Sequence, residues 1–265
     1  MRPQRDFDIF GRAPTKTPDW SHRRGEPRWF ALWWTTFVLA SAMIATTSAG
    51  GPLGGSFESY QPALRLLMLA LGCGIALLWP ATRLSQAPPE GGVRGAAGSM
   101  LMDLVVVQVP VQAVVLPLAA LARWPLGVVL SLALQSFAWS FLVAGLLALA
   151  LSRLKNSGRL KGDHAWVWML GFFAIVFAAP MGEIVVLGAG ATGRSLEQPA
   201  LVEWWWLMSP ATAGLEITRP RPWVGAELAF LPEHLAAACI VLAAGALVWT
   251  GVGLACLLAG RRQSA

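Results

Sequence analysis

The stretch LAAACIVLAAGALVWTGVGLACLLA, Leu235 to Ala259, contains no charged residue and no proline, and its apolar side chains fall all round a helix. A bilayer core of about 30 Å needs roughly 20 apolar residues at about 1.5 Å per residue, so this run predicts a transmembrane helix. Lipid offers no hydrogen bonds to an open backbone, which favours helices over any unpaired strand. The apolar residues do not alternate as barrel strands require.

Five more runs of the same kind lie upstream: Trp29 to about Ser48, Ala63 to Pro80, Met100 to Leu121, Leu126 to Leu151 and Ala165 to Leu187. The expected fold class is therefore an all-α membrane protein with six transmembrane helices. Composition agrees, since 56% hydrophobic residues, 13% charged residues and a mean hydropathy of +0.58 exceed what one water-soluble core requires.

Basic residues near span ends are retained on the cytoplasmic side. With the N-terminus inside, only Arg65, Arg123, Arg194, Arg219 and Arg221 of the 20 Lys and Arg residues fall outside. This asymmetry predicts both termini in the cytoplasm, with a multi-pass chain in the cell inner (plasma) membrane. The charge of +6 is spread over short loops beside spans, so anionic headgroups rather than nucleic acid are the expected partner. Arg23-Arg24 continues poorly as an export signal, and the first span reads as a retained signal anchor.

The expected organisation is a cytoplasmic polar arm, residues 1–28, and a transmembrane domain, residues 29–262. Arg83 to Ser99 and Ser152 to His164 are expected as cytoplasmic loops. An outer segment, Gly188 to His234, joins the last two spans. It carries Trp204-Trp205-Trp206, Ser209-Pro210, Pro220, Pro222 and Trp223, and an apolar patch from Ala226 to Leu231. Tryptophan favours the headgroup level, so short interfacial or re-entrant helices are expected here.

Polar groups inside spans are costly and therefore informative. Glu183 follows Pro180-Met181-Gly182 in the fifth span. It either lines or closes a cavity on the outer side, or the helix breaks near Pro180 and leaves it at the interface. Asp103, three residues into the third span, is expected to reach cytoplasmic water. Gln108 and Gln112 share one helix face beside Pro110, and the fourth span offers Ser131, Gln135 and Ser140 at comparable depth. These groups either bond helix to helix or line a polar pathway. Ser41, Ala45 and Ala49 mark a close helix contact.

Cys73, Cys239 and Cys256 lie in spans, without disulfide or metal spacing. His22, His164 and His234 are scattered outside them, and no H-E-x-x-H occurs, so no catalytic constellation is legible and no enzyme is expected. No G-x-x-x-x-G-K-[ST] loop occurs either, and an ATP-driven process would need a second polypeptide.

The layout of polar arm, six spans and long segment between the fifth and sixth resembles the permease subunits of type-2 ABC exporters. The local match is Trp204-Trp205-Trp206-Leu207-Met208-Ser209-Pro210-Ala211-Thr212-Ala213, where family members have a Ser-Pro step after large apolar residues. The resemblance implies re-entrant helices around Ser209-Pro210 and a pathway between two such subunits, a homodimer or a related pair. It also implies an ABC ATPase subunit carrying ATP and docked on the cytoplasmic loops, with Arg83, Arg94, Arg153, Lys155, Arg159 and Lys161 as candidate contacts. The chain itself then needs no cofactor, and the implied cargo is lipid-like or amphiphilic. It departs from the pattern in that Gly25 and Pro27 interrupt the expected elbow helix, and Ala87 to Gly95 carries few charges. The rival expectation is a membrane scaffold or assembly protein without transport activity.

Overall fold

The structure is a computed structural model that describes residues 27–48, 57–86, 89, 91–156, 165–188, 203–220, 228 and 230–264. Of these, 90% are helical and none is in a strand. The elements are α1 (Pro27–Ser48), α2 (Phe57–Cys73), a π-helical segment (Gly74–Leu78), α3 (Trp79–Ser85), α4 (Gly92–Ala122), α5 (Leu126–Asn156), α6 (Ala165–Gly188), two short helices α7 (Trp204–Leu207) and α8 (Ala213–Ile217), and α9 (Pro232–Ser264).

Among the described residues five helical stretches are long and apolar enough to cross a membrane: Arg28–Ser48, Tyr60–Ser85, Gly92–Pro117, Leu126–Arg153 and Pro232–Ala259. The remaining expected span coincides with α6, whose described apolar stretch, Ala165–Ala178, is shorter. Large apolar side chains point outward from these helices, among them Leu32 and Ile44 on α1, Val109 on α4 and Leu247 on α9, each more than half exposed. Such a continuous apolar exterior is what lipid as solvent calls for.

Two element boundaries differ from expectation. Pro80 was expected to end the second span, yet the helix runs on to Ser85. The ladder slips just before it, with the Trp79 N–H bonded to the Gly74 carbonyl five residues back. The wider π turn makes room for a ring that would otherwise meet the carbonyl at i−4. The expected loop up to Ser99 is helical from Gly92, despite its glycines. Gly91 and Gly92, at φ +92 and +65, turn the chain into α4. Buried Ala96 and Met100 then hold the new turns against the core, so packing overrides propensity.

Helix α5 is the central element, touching α3, α4, α6, α8, α9 and the π segment. It meets α9 through reciprocal glycines. A Cβ on Gly145 would lie 2.9 Å from Val248 Cγ1, and one on Gly245 would lie 2.8 Å from Phe141 Cδ1. Small residues let the two backbones approach. The Trp249 indole stacks on Phe141 and donates to its carbonyl at 3.0 Å.

Helix α1 docks on α4 by a bond from Trp34 Nε1 to the Val107 carbonyl, 3.1 Å. Ser41 and Ala45 face Ala63 and Leu67 of α2 across a groove of about 260 Å³, so the small-residue stripe faces α2 of the same chain. Ala49, the polar arm up to Glu26, and Trp223 lie outside the described residues.

Candidate functional site

The expected Ser-Pro step is the turn between α7 and α8. Proline disfavours helical geometry for the residue before it, which stops α7 after one turn. The chain restarts when Ala213 N–H bonds to the Ser209 carbonyl at 2.9 Å, and Thr212 Oγ1 ties back to the Trp206 carbonyl at 2.8 Å. Leu207, Ser209 and Ile217 are wholly buried.

The turn is inserted deep into the bundle, at the level of mid-helix residues on three long elements. Gly72 of α2 touches it so closely that a Cβ there would lie 1.9 Å from the Pro210 carbonyl oxygen. Gln135 of α5 donates from Nε2 to the Leu207 carbonyl at 3.0 Å. Ser209 donates from Oγ to the Val176 carbonyl of α6 at 2.7 Å. Gly72 lies roughly 18 Å along the helix from Tyr60, Gln135 roughly 14 Å from Leu126, and Val176 roughly 17 Å from Ala165, at about 1.5 Å per residue.

The Ser209 bond has a cause in the sequence of α6. Pro180 has no N–H to offer the carbonyl four residues back, which is that of Val176. Ser209 supplies the missing donor from another element, so the proline that opens the α6 ladder also creates the acceptor that holds the turn. Helix α6 nevertheless continues to Gly188. The expected alternative of a break at Pro180 is thereby corrected, because the neighbouring segment satisfies the freed carbonyl. Glu183 lies in this continuous helix, and its side chain is outside those described.

Around the turn the surroundings divide by polarity. On one side a charged basin of about 420 Å³ is lined by Arg65, Glu203, Trp206, Leu215, Glu216 and Arg219. Arg219 Nη1 pairs with Glu203 at 2.8 Å and with Glu216 at 3.4 Å, closing the ends of the α7–α8 unit. The hydrogen bond that Arg219 donates to Glu203, and then the charges of both carboxylates, hold its guanidinium above its ordinary pKa against partial burial. The Arg65 guanidinium donates to the Thr218 carbonyl just past α8. On the other side an apolar pocket of about 470 Å³ lies between α5, α6 and α7, lined by residues including Trp139, Ile175, Trp204, Trp205 and Met208.

The glutamines separate into two groups. Gln108 reaches Ser140 Oγ and the Ser136 carbonyl, 3.2 Å, while Gln112 reaches Gln108 Oε1, 2.8 Å, Ser136 Oγ, 3.0 Å, and the Ala133 carbonyl, 3.2 Å. Of the two expectations for them, bonding α4 to α5 is what this geometry shows. Gln135 faces the inserted turn instead. Ser131 bonds within α5, to the Gly127 carbonyl at 2.8 Å.

Two further expectations change. Asp103 does not reach water: it is 0% exposed and takes hydrogen bonds from the Arg83 guanidinium and from Trp79 Nε1. Because α4 begins at Gly92, Asp103 sits roughly 16 Å into the helix rather than at its mouth. Arg83, a candidate partner contact, is 3% exposed, bonded also to Gln86 Oε1 at 2.6 Å and lying 4.6 Å from the Phe30 ring centre. A charge this buried is tolerated because it is paired. Arg94 and Arg153 are exposed, the side chain of Lys155 is not among those described, and Arg159 and Lys161 lie outside the described residues.

Sequence reasoning missed Gly72, Val176, Arg65 and the triad of Glu203, Glu216 and Arg219 as parts of this site. Only the triad left a signal, two acids and a base bracketing a tryptophan-rich segment. Gly72 and Val176 have no local signature, since their role comes from what lies opposite them.

Comparison of the chain with family models, with curated proteins and with solved structures returns no match.

Proposed function

We propose that this chain is the membrane-spanning permease subunit of an ATP-driven exporter of the type-2 ABC kind. In this reading six helices cross the cell inner membrane with both termini cytoplasmic, and α7 and α8 re-enter the bilayer from the outer side. A separate ATPase chain supplies the energy, and two permease subunits pair to form the path for a lipid-like or amphiphilic cargo.

The observation that carries the reading is the insertion of Ser209-Pro210 to the level of Gly72, Gln135 and Val176. A segment serving only as an interfacial anchor has no need of mid-helix contacts on three elements. Buried Glu216 with Arg219, near the start of α2, gives the same segment a polar outer rim. Such a unit, braced against α2, α5 and α6, is placed to respond when those helices rock.

Purification from the native membrane tests it. An ATPase chain should co-elute, and deletion of either gene should abolish the same export activity. Recovery of the protein without an ATPase, together with unchanged export on its deletion, would overturn the proposal. The scaffold reading draws on the inward-facing Arg83, which leaves the cytoplasmic face one basic contact poorer. It expects a stable non-ATPase partner in the same purification.

A further inference from the structure

Beside the inserted turn lies a cavity of about 40 Å³, lined by α2, the π segment, α4, α5 and α8. Gly72, Val115, Pro210 and Gly214 contribute to its wall, but so do Gln135, Ser136 and Trp139 of α5. Gln135 and Trp139 are one turn apart on the same helix face and are 3% and 6% exposed. Among the described residues, Gln135 Oε1 and Trp139 Nε1 have no hydrogen-bond partner. The amide orientation is fixed by chemistry. The Leu207 carbonyl can only accept, so Nε2 must face it and Oε1 is left for the other side.

One cavity is therefore bordered by a residue with an unmet acceptor and by one with an unmet donor. An apolar void of this size stays dry, whereas a void with polar partners of both senses, and space for about one to three water molecules, fills. We propose that this cavity is a water-binding site, in which water donates to Gln135 Oε1 and accepts from Trp139 Nε1. The inserted turn then rests on α6 through Ser209 and on water through the cavity wall, so its inner side borders an exchangeable ligand. The inference stands whether or not the chain belongs to an exporter.

X-ray radiolytic labelling with mass spectrometry tests it on the full chain in lipid nanodiscs, because bound water is converted in place to hydroxyl radical and oxidises its neighbours. Trp34 and Trp79 are internal controls. Both are 0% exposed, and their indole N–H groups bond to Val107 and Asp103. Trp139 should be oxidised several-fold faster than either. Val115→Leu or Ala213→Val, which fill the cavity, should bring it down to their rate. Neither residue lines the larger apolar pocket that Trp139 also borders, so the loss identifies the inner cavity as the source. Equal rates for Trp139, Trp34 and Trp79 in the wild-type protein would overturn the proposal even if neither variant folds. An undiminished Trp139 rate in a filled variant with unchanged thermal unfolding would also overturn it.

Discussion

The α4–α5 interface and the inserted turn use the same polar residue types at similar depth, in opposite ways. Between α4 and α5, Gln108 and Gln112 share partners with each other and with Ser136 and Ser140, so Gln108, Gln112 and Ser136 each take part in more than one bond. At the turn, Gln135 and Ser209 each reach one main-chain carbonyl, and no second side chain duplicates either bond among the described residues. Redundant networks hold long helices in fixed register, whereas single bonds to carbonyls hold a short element that can be released one contact at a time. Polarity at mid-depth therefore says little by itself, and the number of alternative partners separates a fastener from a latch.

The contrast breaks most sharply at Gly72. Replacing it with valine puts a side chain into the Pro210 carbonyl, and neither backbone can yield without displacing the turn. Overpacking of this kind costs typically 1–3 kcal/mol, and a backbone obstacle belongs at about 3 kcal/mol. Thermal unfolding in detergent should fall accordingly, while Gly98→Ala, inside α4 and with nothing within 4 Å of its Cβ, should not lower it.

Ser209→Ala comes next. It strands the Val176 carbonyl, for which about 1–2 kcal/mol is expected, since a buried group left unpaired loses its desolvation energy. Pro180→Ala sharpens the point by restoring an N–H opposite Val176. In the double variant the cost of losing Ser209 should shrink to a few tenths of a kcal/mol, a coupling that a double-mutant cycle reads directly. Additive costs would show that Ser209 does not substitute for the missing ladder bond.

These positions also mark how far the sequence could be read. Apolar run length located every long helix, because lipid imposes the same demand on each turn. Gln108 and Gln112 were legible as a shared face because the helix period alone brings them together. Local signals failed where the answer lay across the bundle. Pro80 reads as a stop until the π segment is seen, and Gly92 to Ser99 reads as a loop until Ala96 and Met100 are seen against the core. Asp103 reads as wet only if α4 starts at Met100. The Ser209-Pro210 motif announced a turn, but nothing in it named Val176 as acceptor or Gly72 as the site of closest approach.

The redundant side of the contrast predicts a small effect. Gln112→Leu removes several bonds at once, yet Gln108 still reaches Ser140 and the Ser136 carbonyl. Interhelical bonds in membranes average about 0.6 kcal/mol, so a loss below about 1 kcal/mol is expected in the same unfolding measurement. A loss exceeding that of Ser209→Ala would reverse the assignment of the two regions.

The smallest effect belongs to the rim of the turn, where Glu203→Gln removes one of two carboxylates from Arg219. Glu203 is 26% exposed and Arg219 34%, so water screens their pairing, and Arg219 keeps Glu216 at 3.4 Å. Exposed ion pairs contribute about 0.2–1 kcal/mol, and the lower end applies when a second partner remains. Glu216→Gln should cost more than Glu203→Gln, although its contact is the longer of the two. Its side chain is 1% exposed, and replacing the carboxylate with a neutral amide there also disturbs the buried hydrogen bonding around it. If both variants unfold alike in low salt and alike in high salt, burial does not rank the two carboxylates, and the rim fastens the turn no more selectively than any exposed pair.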